Sequence, residues 1–368
     1  MKKFKKKLQS SFKRVLYNLF KIFYGTINGI ISKKTKKLNI SSVELEGQTY
    51  LVYEAKNARL YTDTIHDTAI IIDNEIVEGA SFQLRNNKNA NVEKNVVFEK
   101  GTPRIKKKIN GKVLSLLTGG GGNSNYWHWL FDVLPRIFIL SNYMNINNID
   151  YFLFPDLKEN FQKETLEILN IPSKKCLSSR HYRHCSANEI IVTDHPYNFL
   201  NDPHKDSLNI PNWIPVELRK KFLLMNKSSK KEFPKKFYID RSDSKSGHSK
   251  MRSISNEKDV VKTLKDNGFS ILRLSDLHFT DQVKLFNQAE CVVGLHGAGF
   301  ANMIFSGKST KFIELKSNTA GVIIKNIAKN NDFNYQCMSV EPKISFNNQL
   351  GEIEVSIEAL KILLNNTI

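Results

Sequence analysis

Three polar side chains recur at intervals of four within a largely apolar segment and could carry acid/base chemistry. They are His128, Asp132 and Arg136, in the stretch 125–136. If this stretch is helical, residues four apart lie on one face, so the imidazole, carboxylate and guanidinium would line up. That arrangement is typical of a general acid/base site, and a simple ion pair is the alternative. The aromatic residues around it could stack on sugar rings or pack in a core.

A glycine-rich turn with a histidine follows a predicted buried strand. Residues 291–294 form the strand, and Leu-His-Gly-Ala-Gly at 295–299 leads into a predicted helix. Small residues there let backbone N–H groups approach an anion at the helix N-terminus, where the helix dipole also favours negative charge. His296 could donate a further hydrogen bond to a phosphate. The turn lacks the GxGxxG and GKS/GKT signatures of dinucleotide sites and P-loops, so packing alone is the alternative.

Three more polar residues come at the ends of predicted parallel strands or just after them. Arg241 follows the strand 237–240, Arg252 lies in the next loop, and Glu314 is near the end of the strand 311–315. A guanidinium fork suits a pyrophosphate, and a carboxylate can accept hydrogen bonds from ribose hydroxyls. For Glu314 the alternative is capping of a turn. Because ligands of parallel α/β sheets bind at the carboxyl ends of the strands, the convergence predicts a nucleotide site.

The hydrophobic pattern predicts the elements that position these residues. Between residues 43 and 117 it predicts short strands at 49–53, 69–72, 96–99 and 112–117. Further on, helices and strands alternate, which is typical of an α/β fold with parallel strands. The predicted elements are helix 126–142, strand 151–154, helix 160–169, strand 189–192, helix 216–225, strand 237–240, helix 256–267, strand 270–274, helix 280–288, strand 291–294, helix 298–305, strand 311–315, helix 321–330, strand 335–340 and helix 353–364.

Composition shifts along the chain predict four segments. Prolines between residues 195 and 215, and a Lys- and Ser-rich stretch at 226–236, indicate a linker region. We expect a basic amphipathic segment at 1–40, an α/β domain at 41–210, a nucleotide-binding α/β domain at 211–345, and a C-terminal helix at 346–368 that packs back across the domains.

The first forty residues carry much of the positive charge. The chain has 55 Lys and Arg against 36 Asp and Glu, a formal net charge of +19. Residues 1–40 hold twelve of the basic side chains and no acidic one. Between residues 8 and 31, apolar residues recur every three or four positions, which predicts an amphipathic helix. We expect residues 1–35 to lie on an anionic membrane surface. A helix packed on the protein's own core is the main alternative. Nucleic-acid binding ranks last, because no recognisable binding module accompanies the charge.

The composition excludes several classes of protein. No apolar run approaches the roughly 20 residues that a transmembrane helix needs, and 40% hydrophobic residues argue against disorder. The four cysteines form no CxxC pair, so neither a disulfide framework nor a zinc ribbon is indicated. Lys21 interrupts the N-terminal apolar pattern, unlike the core of a secretory signal. We therefore expect a cytoplasmic protein, peripheral at the inner face of the cell membrane.

Two segments in combination resemble glycosyltransferase family 61. They are Asn-Tyr-Trp-His-Trp-Leu-Phe-Asp-Val-Leu-Pro-Arg at 125–136 and Val-Gly-Leu-His-Gly-Ala-Gly-Phe-Ala-Asn-Met-Ile-Phe at 293–305, followed by Phe-Ile-Glu-Leu at 312–315. Tyr-Ile-Asp-Arg at 238–241 and Arg252 are also similar to that family, and the resemblance spans about residues 119–315. The chain departs from the family at Asp240, where Ser is common, and at 299–302, where Gly-Phe-Ala-Asn replaces the commoner Gly-Leu-Thr-Asn.

The resemblance implies a GT-B architecture, in which two Rossmann-like domains face a cleft: the domain at 41–210 on the acceptor side, and the domain at 211–345 holding the nucleotide sugar. It also implies inverting, metal-independent transfer from a UDP-sugar, with no cofactor beyond that donor. In this chain Arg241 and the His296 loop would then hold the diphosphate, Glu314 the ribose, and Asp132 or His128 would be the base. The substrate-binding candidates are Asn125, Arg136, Arg241, Arg252, His296, Gly297, Ala298, Gly299, Asn302 and Glu314.

These features together predict an enzyme that builds a glycan. No Asp-x-Asp triplet occurs in the sequence, which argues against a metal-bridged donor, and Asp132 is the preferred base, with His128 orienting it or substituting for it. The expected acceptor is a glycan or lipid-linked glycan, and by analogy the product is bacterial surface polysaccharide such as capsule. The alternative is a catalytically silent nucleotide-sugar-binding scaffold at the membrane.

Overall fold

A computed structural model describes residues 2–64, 66–86, 88–117, 124–197, 202–224, 231–242, 252–346 and 350–367. The chain is a mixed α/β protein, as the sequence predicts, and contacts divide it into two compact units, Met1–Ser207 and Leu208–Ile368. The predicted basic segment at 1–40 falls within the first unit and the predicted C-terminal segment within the second.

The first unit is built on one extended sheet. Its strands, in chain order, are β1 (Gly29–Ile31), β2 (Leu38–Leu45), β3 (Gln48–Lys56), β4 (Arg59–Thr64), β5 (Asp67–Ile72), β6 (Glu75–Val77), β7 (Phe82–Arg85), β8 (Lys88–Asn89), β9 (Lys107–Ser115), β10 (Tyr151–Phe154), β11 (Cys176–Ser178) and β12 (His184–Thr193). Along the sheet the strands follow the order β1-β6-β5-β4-β12-β9-β10-β11, with β2, β3, β7 and β8 attached at the side.

This sheet is mixed, so the expectation of a Rossmann-like first domain is wrong for its N-terminal part. Strands β9, β10, β11 and β12 pair in parallel, but β2–β3 and β5–β6 are antiparallel hairpins. Their turns explain the difference: Glu46 and Gly47 in one, and Asp73 and Asn74 in the other, have positive φ. Two-residue turns of that kind join antiparallel strands, whereas parallel neighbours need a long crossover.

The first unit also contains short helices between its strands. The helices are α1 (Lys2–Tyr24), α2 (Val96–Lys100), α3 (Tyr126–His128), α4 (Leu134–Ser141), α5 (Asn160–Ile168) and α6 (Pro203–Asp206), with 3₁₀ turns at Val92–Lys94, Ile146–Asn148 and Ser173–Lys175. Residues 96–99 were predicted to be a strand, and that prediction is wrong. The Asn95 side chain accepts a hydrogen bond from the Val97 N–H at 3.2 Å, and such an N-cap starts a helix here despite the β-branched residues.

Helix α1 is shorter than the predicted amphipathic segment. It ends at Tyr24, and Gly25 has φ +82°, a conformation that commonly ends helices. The residues predicted to continue the helix form strand β1, which pairs in parallel with β6. Within the described residues, no helix combines the length and apolar character needed to cross a membrane.

The second unit contains a parallel sheet covered by helices. The strands of this unit, in chain order, are β13 (Lys236–Asp240), β14 (Arg252–Ile254), β15 (Ser270–Arg273), β16 (Cys291–Leu295), β17 (Lys311–Ser317), β18 (Asn334–Val340), β19 (Ile344–Phe346) and β20 (Leu350–Ile353). Of these, β14, β19 and β20 form a smaller sheet of their own. Its helices are α7 (Trp213–Leu223), α8 (Glu257–Asp266), α9 (Phe279–Gln288), α10 (Ile323–Asn330) and α11 (Ile357–Thr367), with 3₁₀ helices at Leu274–Asp276 and Ala298–Phe305.

The strand order of the parallel sheet creates a crevice at one position. The order is β15-β13-β16-β17-β18, and all four pairings are parallel. From β13 the chain moves outward to β15 on one side and then returns to place β16 on the other. The connections on the two sides of this switch point diverge, which leaves a binding crevice at the carboxyl ends of β13 and β16.

The last helix differs from its prediction at the N-terminal end. Ile353 belongs to strand β20, which pairs with β14 and β19, and α11 begins only at Ile357. Leu360 and Leu364 of α11 are buried in the core of the second unit together with Val260 and Leu264 of α8. Contact of this helix with the first domain stays a prediction.

Candidate active site

In the first unit, two parallel strands bring distant segments to one edge of the sheet. Strands β9 and β12 are neighbours, with Ser115 opposite Val192. Residues that follow β9 and residues that follow β12 therefore emerge at the same carboxyl edge. The helical segment with His128 and Asp132 comes after β9, and the stretch with His195 and Tyr197 comes directly after β12.

The predicted helix at 126–142 is continuous but has an irregular middle. The Asn125 side chain accepts from the Trp127 N–H at 2.9 Å and so caps α3; this predicted substrate-binding residue therefore has a structural role. A π-helical stretch, Trp129–Val133, joins α3 to α4. Pro135 lacks an N–H and cannot bond the carbonyl of Phe131 four residues earlier, which accounts for the change of helix type. Such π stretches are often found at functional sites, and this one contains Asp132.

Asp132 is held by side chains from both segments. His128 Nδ1 lies 2.8 Å from Asp132 Oδ2, and the Tyr197 hydroxyl donates to Oδ1. His195 Nε2 is 3.8 Å from Oδ2, and the His195 and Tyr197 rings contact each other edge-on. Both carboxylate oxygens are therefore engaged. The Asp132 side chain is only 7% exposed, whereas that of His128 is 34% exposed.

The charges of Asp132 and His128 stabilise each other. Burial raises the pKa of Asp132, but the charges and hydrogen bonds of His128 and His195 outweigh burial and lower that pKa below its usual value. Burial lowers the pKa of His128, but the charge and hydrogen bond of Asp132 outweigh it and raise that pKa. An ionised Asp132 accepts the Nδ1 proton, so we assign neutral His128 the tautomer with a lone pair on Nε2.

Arg136 supports this edge from inside. Its guanidinium donates to the Leu117 carbonyl and the Thr193 carbonyl, each at 2.9 Å, and its Nε donates to Thr193 Oγ1 at 3.2 Å. Burial lowers the pKa of Arg136 to about 10, against the opposing charges of Asp194 and Asp132. Arg136 therefore ties the segments after β9 and β12 together, and its contact with a substrate stays a prediction.

In the second unit, the crevice at the switch point contains two arginines and a histidine. Ile239 of β13 lies opposite Gly294 of β16, so Arg241 and His296, each two residues further on, come level with one another. Arg241 Nη1 donates to the His296 carbonyl at 2.5 Å, and Arg252 Nη1 lies 3.5 Å from the same oxygen. Two guanidinium groups thus converge on one turn.

Two positive charges lie close together at this turn. Burial, followed by the neighbouring charge of Arg241, lowers the pKa of Arg252 to about 10, with Glu314 opposing the shift. A guanidinium with such a pKa still carries its charge at neutral pH. An anion placed beside both arginines would relieve their mutual repulsion, which is the electrostatic requirement for a diphosphate site.

His296 is fixed by a buried carboxylate. Its Nδ1 contacts Glu314, the second oxygen of Glu314 accepts from the Tyr335 hydroxyl, and the His296 N–H donates to the Leu315 carbonyl at 2.8 Å. Burial lowers the pKa of His296 and outweighs Glu314, which raises it. Glu314 is completely buried with both oxygens engaged. Glu314 therefore orients His296, and its contact with a ribose stays a prediction.

The remaining residues of the turn serve close packing. A Cβ at Gly297 would lie 2.9 Å from Arg241 Nη1, and one at Gly299 would lie 3.0 Å from Leu274. Asn302 is buried and donates to Gln282 Oε1 at 3.1 Å, and its contact with a substrate stays a prediction. Residues 298–305 form a 3₁₀ helix in place of the expected α-helix, which weakens the dipole argument at Ala298 and leaves the arginines as the main source of positive charge.

Three residues of these sites were missed by the sequence reasoning. His195 and Tyr197 were assigned to a linker because of the prolines near them, although they directly follow a predicted strand, which is a signal that could have found them. Tyr335 lies in β18, and its sequence neighbourhood carries no comparable signal.

One comparison with known proteins is informative. The family model described as Glycosyltransferase 61 matches residues 126–313, just over half of the chain. The matched range begins with α3 and ends in β17, one residue before Glu314. It therefore includes His128, Asp132 and both arginines. No curated protein matches the chain.

Proposed function

From the premise that the chain belongs to glycosyltransferase family 61, and is therefore a glycosyltransferase, we propose how its two sites divide the reaction. The second unit binds the nucleotide-sugar donor through Arg241 and Arg252, and the first unit activates a hydroxyl of the glycan acceptor. The observation that carries this proposal is the unequal exposure of the coupled pair: Asp132 is enclosed with both oxygens engaged, whereas His128 is partly exposed.

The proposed base is His128, which differs from the preference for Asp132 drawn from the sequence. Nε2 of His128 takes the proton of the acceptor hydroxyl as that oxygen attacks the anomeric carbon and the bond from this carbon to the diphosphate oxygen breaks. The new bond forms on the face opposite the leaving group, so the configuration inverts. Asp132 stabilises the imidazolium that results, as buried carboxylates do for catalytic histidines, and Tyr197 holds the carboxylate in place.

The leaving group requires positive charge where the diphosphate departs. Arg241 and Arg252 supply two guanidinium groups at the crevice of the parallel sheet, and their convergence on the His296 carbonyl supports a donor of the UDP-sugar type with metal-independent transfer. His296 is neutral with its Nδ1 proton directed to Glu314, so in this scheme it positions the turn and does not donate to phosphate.

The remaining parts of the proposal concern the setting of the enzyme. The GT-B arrangement implied by the family resemblance is a proposal, supported by the parallel sheet of the second unit. We further propose that the enzyme is cytoplasmic and binds the inner face of the membrane peripherally through residues 1–35. Its proposed acceptor is a glycan or lipid-linked glycan in bacterial capsule synthesis. The basic charge of the first forty residues supports the membrane contact.

The deciding experiment measures UDP release from a panel of UDP-sugars with and without glycan acceptors. We expect acceptor-dependent release for one donor, and a loss of about 10²–10⁴-fold on His128→Gln, the usual contribution of a general base. UDP affinity of that variant, measured by calorimetry, should stay within a few-fold of the wild type. Binding of UDP without any release would favour the silent scaffold, and full activity of His128→Gln would refute the assignment of the base.

A further inference from the structure

Helix α1 presents two different apolar stripes. Leu16, Phe20 and Tyr24 are half-buried against the first unit. A second set of large apolar side chains recurs at three- and four-residue intervals, which places it on one helical face, and its members are between 46 and 80% exposed. They are Phe12, Val15, Leu19, Ile22 and Phe23. Soluble surfaces seldom leave such a continuous apolar stripe without a partner.

Specific contacts hold the C-terminal end of α1 on the first unit. Lys21 Nζ donates to the Glu99 carbonyl at 2.8 Å, and the Tyr24 hydroxyl accepts from the Lys106 N–H at 3.1 Å. The Tyr24 ring also contacts His184 edge-on, with centroids 4.8 Å apart. The C-terminal end of α1 therefore has a defined position against the loop that contains Lys106.

That segment, here named loop 103–108, consists of the loop before β9 and the first two residues of β9, and it combines an exposed apolar side chain with concentrated positive charge. Ile105 is 79% exposed. Its neighbours Arg104, Lys106, Lys107 and Lys108 are also exposed, and the chain contains no acidic residue between Glu99 and Asp132. An apolar tip surrounded by basic residues is complementary to a bilayer with anionic headgroups, where the apolar group enters the interface and the cations face phosphates.

We propose that loop 103–108 is a second membrane-contact element, and that with the exposed stripe of α1 it forms one docking surface for an anionic phospholipid bilayer. The proposal rests on the proposed membrane contact of residues 1–35 and deepens it. Because α1 and the loop are joined through Tyr24 and Lys106, the two elements engage one bilayer together and fix the orientation of the first unit on it. Each basic residue near the surface contributes about fivefold to binding.

The test is flotation of the full chain with vesicles of equal parts phosphatidylglycerol and phosphatidylcholine. Ile105→Glu should weaken binding by about tenfold, through the lost apolar insertion and the added negative charge. The triple change of Lys106, Lys107 and Lys108 to glutamine should weaken it by about 10²-fold, and added salt should reduce the difference. The matched control is Ile362→Glu, which changes an apolar side chain 56% exposed on α11 and should bind as the wild type does.

Several results would overturn the proposal. Wild-type binding by Ile105→Glu, or an equal loss in Ile362→Glu, would exclude the loop as a contact element. If a second copy of the chain covers this surface, Ile105→Glu would change the oligomeric state in size-exclusion chromatography while vesicle binding stays intact, and that outcome also refutes it. Sugar transfer to a soluble acceptor without vesicles is measured in parallel: its failure with intact flotation refutes the proposed chemistry and not the docking surface.

Discussion

Replacement of Asp132 by asparagine distinguishes the two candidates for the base. The Asp132 carboxylate accepts from His128 Nδ1 on one oxygen and from the Tyr197 hydroxyl on the other. An asparagine offers one acceptor and one donor in the same place. Since a tyrosine hydroxyl can accept as well as donate, the amide can turn its NH₂ towards Tyr197 and keep its oxygen on His128. The His128 tautomer then survives and only the negative charge is lost.

The expected loss follows from this geometry. Without the charge, the imidazolium formed during transfer is less stable, and we expect kcat to fall by about 10²-fold, which corresponds to about 2.7 kcal/mol of transition-state stabilisation. Tyr197→Phe alone should have a small effect. The double change Asp132→Asn with Tyr197→Phe removes the group that fixes the amide orientation, so the NH₂ can face Nδ1 and select the inactive tautomer. The double variant should therefore lose about tenfold more than the two single effects predict.

The pH dependence gives the refuting result. The neutral form of His128 is the base, and the raised pKa of His128 in the wild type makes kcat/KM fall as the pH drops through that value. In Asp132→Asn the negative charge that raises this pKa is gone and burial, which lowers it, remains, so the acidic limb should move to lower pH. If Asp132 itself were the base, its lowered pKa would leave the wild type without an acidic limb near neutrality. An unmoved limb in Asp132→Asn would refute the assignment. Asp156→Asn, which changes a partly exposed aspartate paired with Lys158, is the control.

Three further predictions concern the second unit. Gly297→Ala places a Cβ 2.9 Å from Arg241 Nη1 and should weaken UDP binding, measured by calorimetry, about tenfold. The control is Gly307→Ala, whose new Cβ has its nearest neighbour at 3.9 Å and should leave UDP affinity unchanged. Equal UDP affinities of the two variants would contradict the role of Arg241. Tyr335→Phe leaves a buried oxygen of Glu314 without its donor and should lower the free energy of unfolding in urea by about 1–3 kcal/mol, and an unchanged midpoint would argue against this contact. EDTA should leave sugar transfer unchanged, and a loss restored by manganese would refute the metal-independent scheme.

Local spacing was sufficient to find the residues that share one element. The interval of four between His128 and Asp132 places them on one helical face whatever surrounds the helix, and the structure brings them to 2.8 Å. The alternation of strands and helices beyond residue 236 likewise predicts a parallel sheet, because a helix between two strands is the usual crossover that joins parallel neighbours. Arg241 and His296 could then be placed at one sheet edge, since both follow strands of the same direction.

Pairings between distant segments, and the burial they cause, were decided only by the tertiary structure. His195 and Tyr197 reach Asp132 because β12 pairs with β9, and that register is not visible in either segment alone. Packing within the first unit encloses Asp132, and packing within the second unit encloses Glu314; in each carboxylate both oxygens are engaged. The sequence by itself therefore determined which residue types could do the chemistry. Burial and long-range hydrogen bonding decided that His128 stays accessible while Asp132, His296 and Glu314 do not, because the cost of desolvating a charge depends on every segment that packs around it.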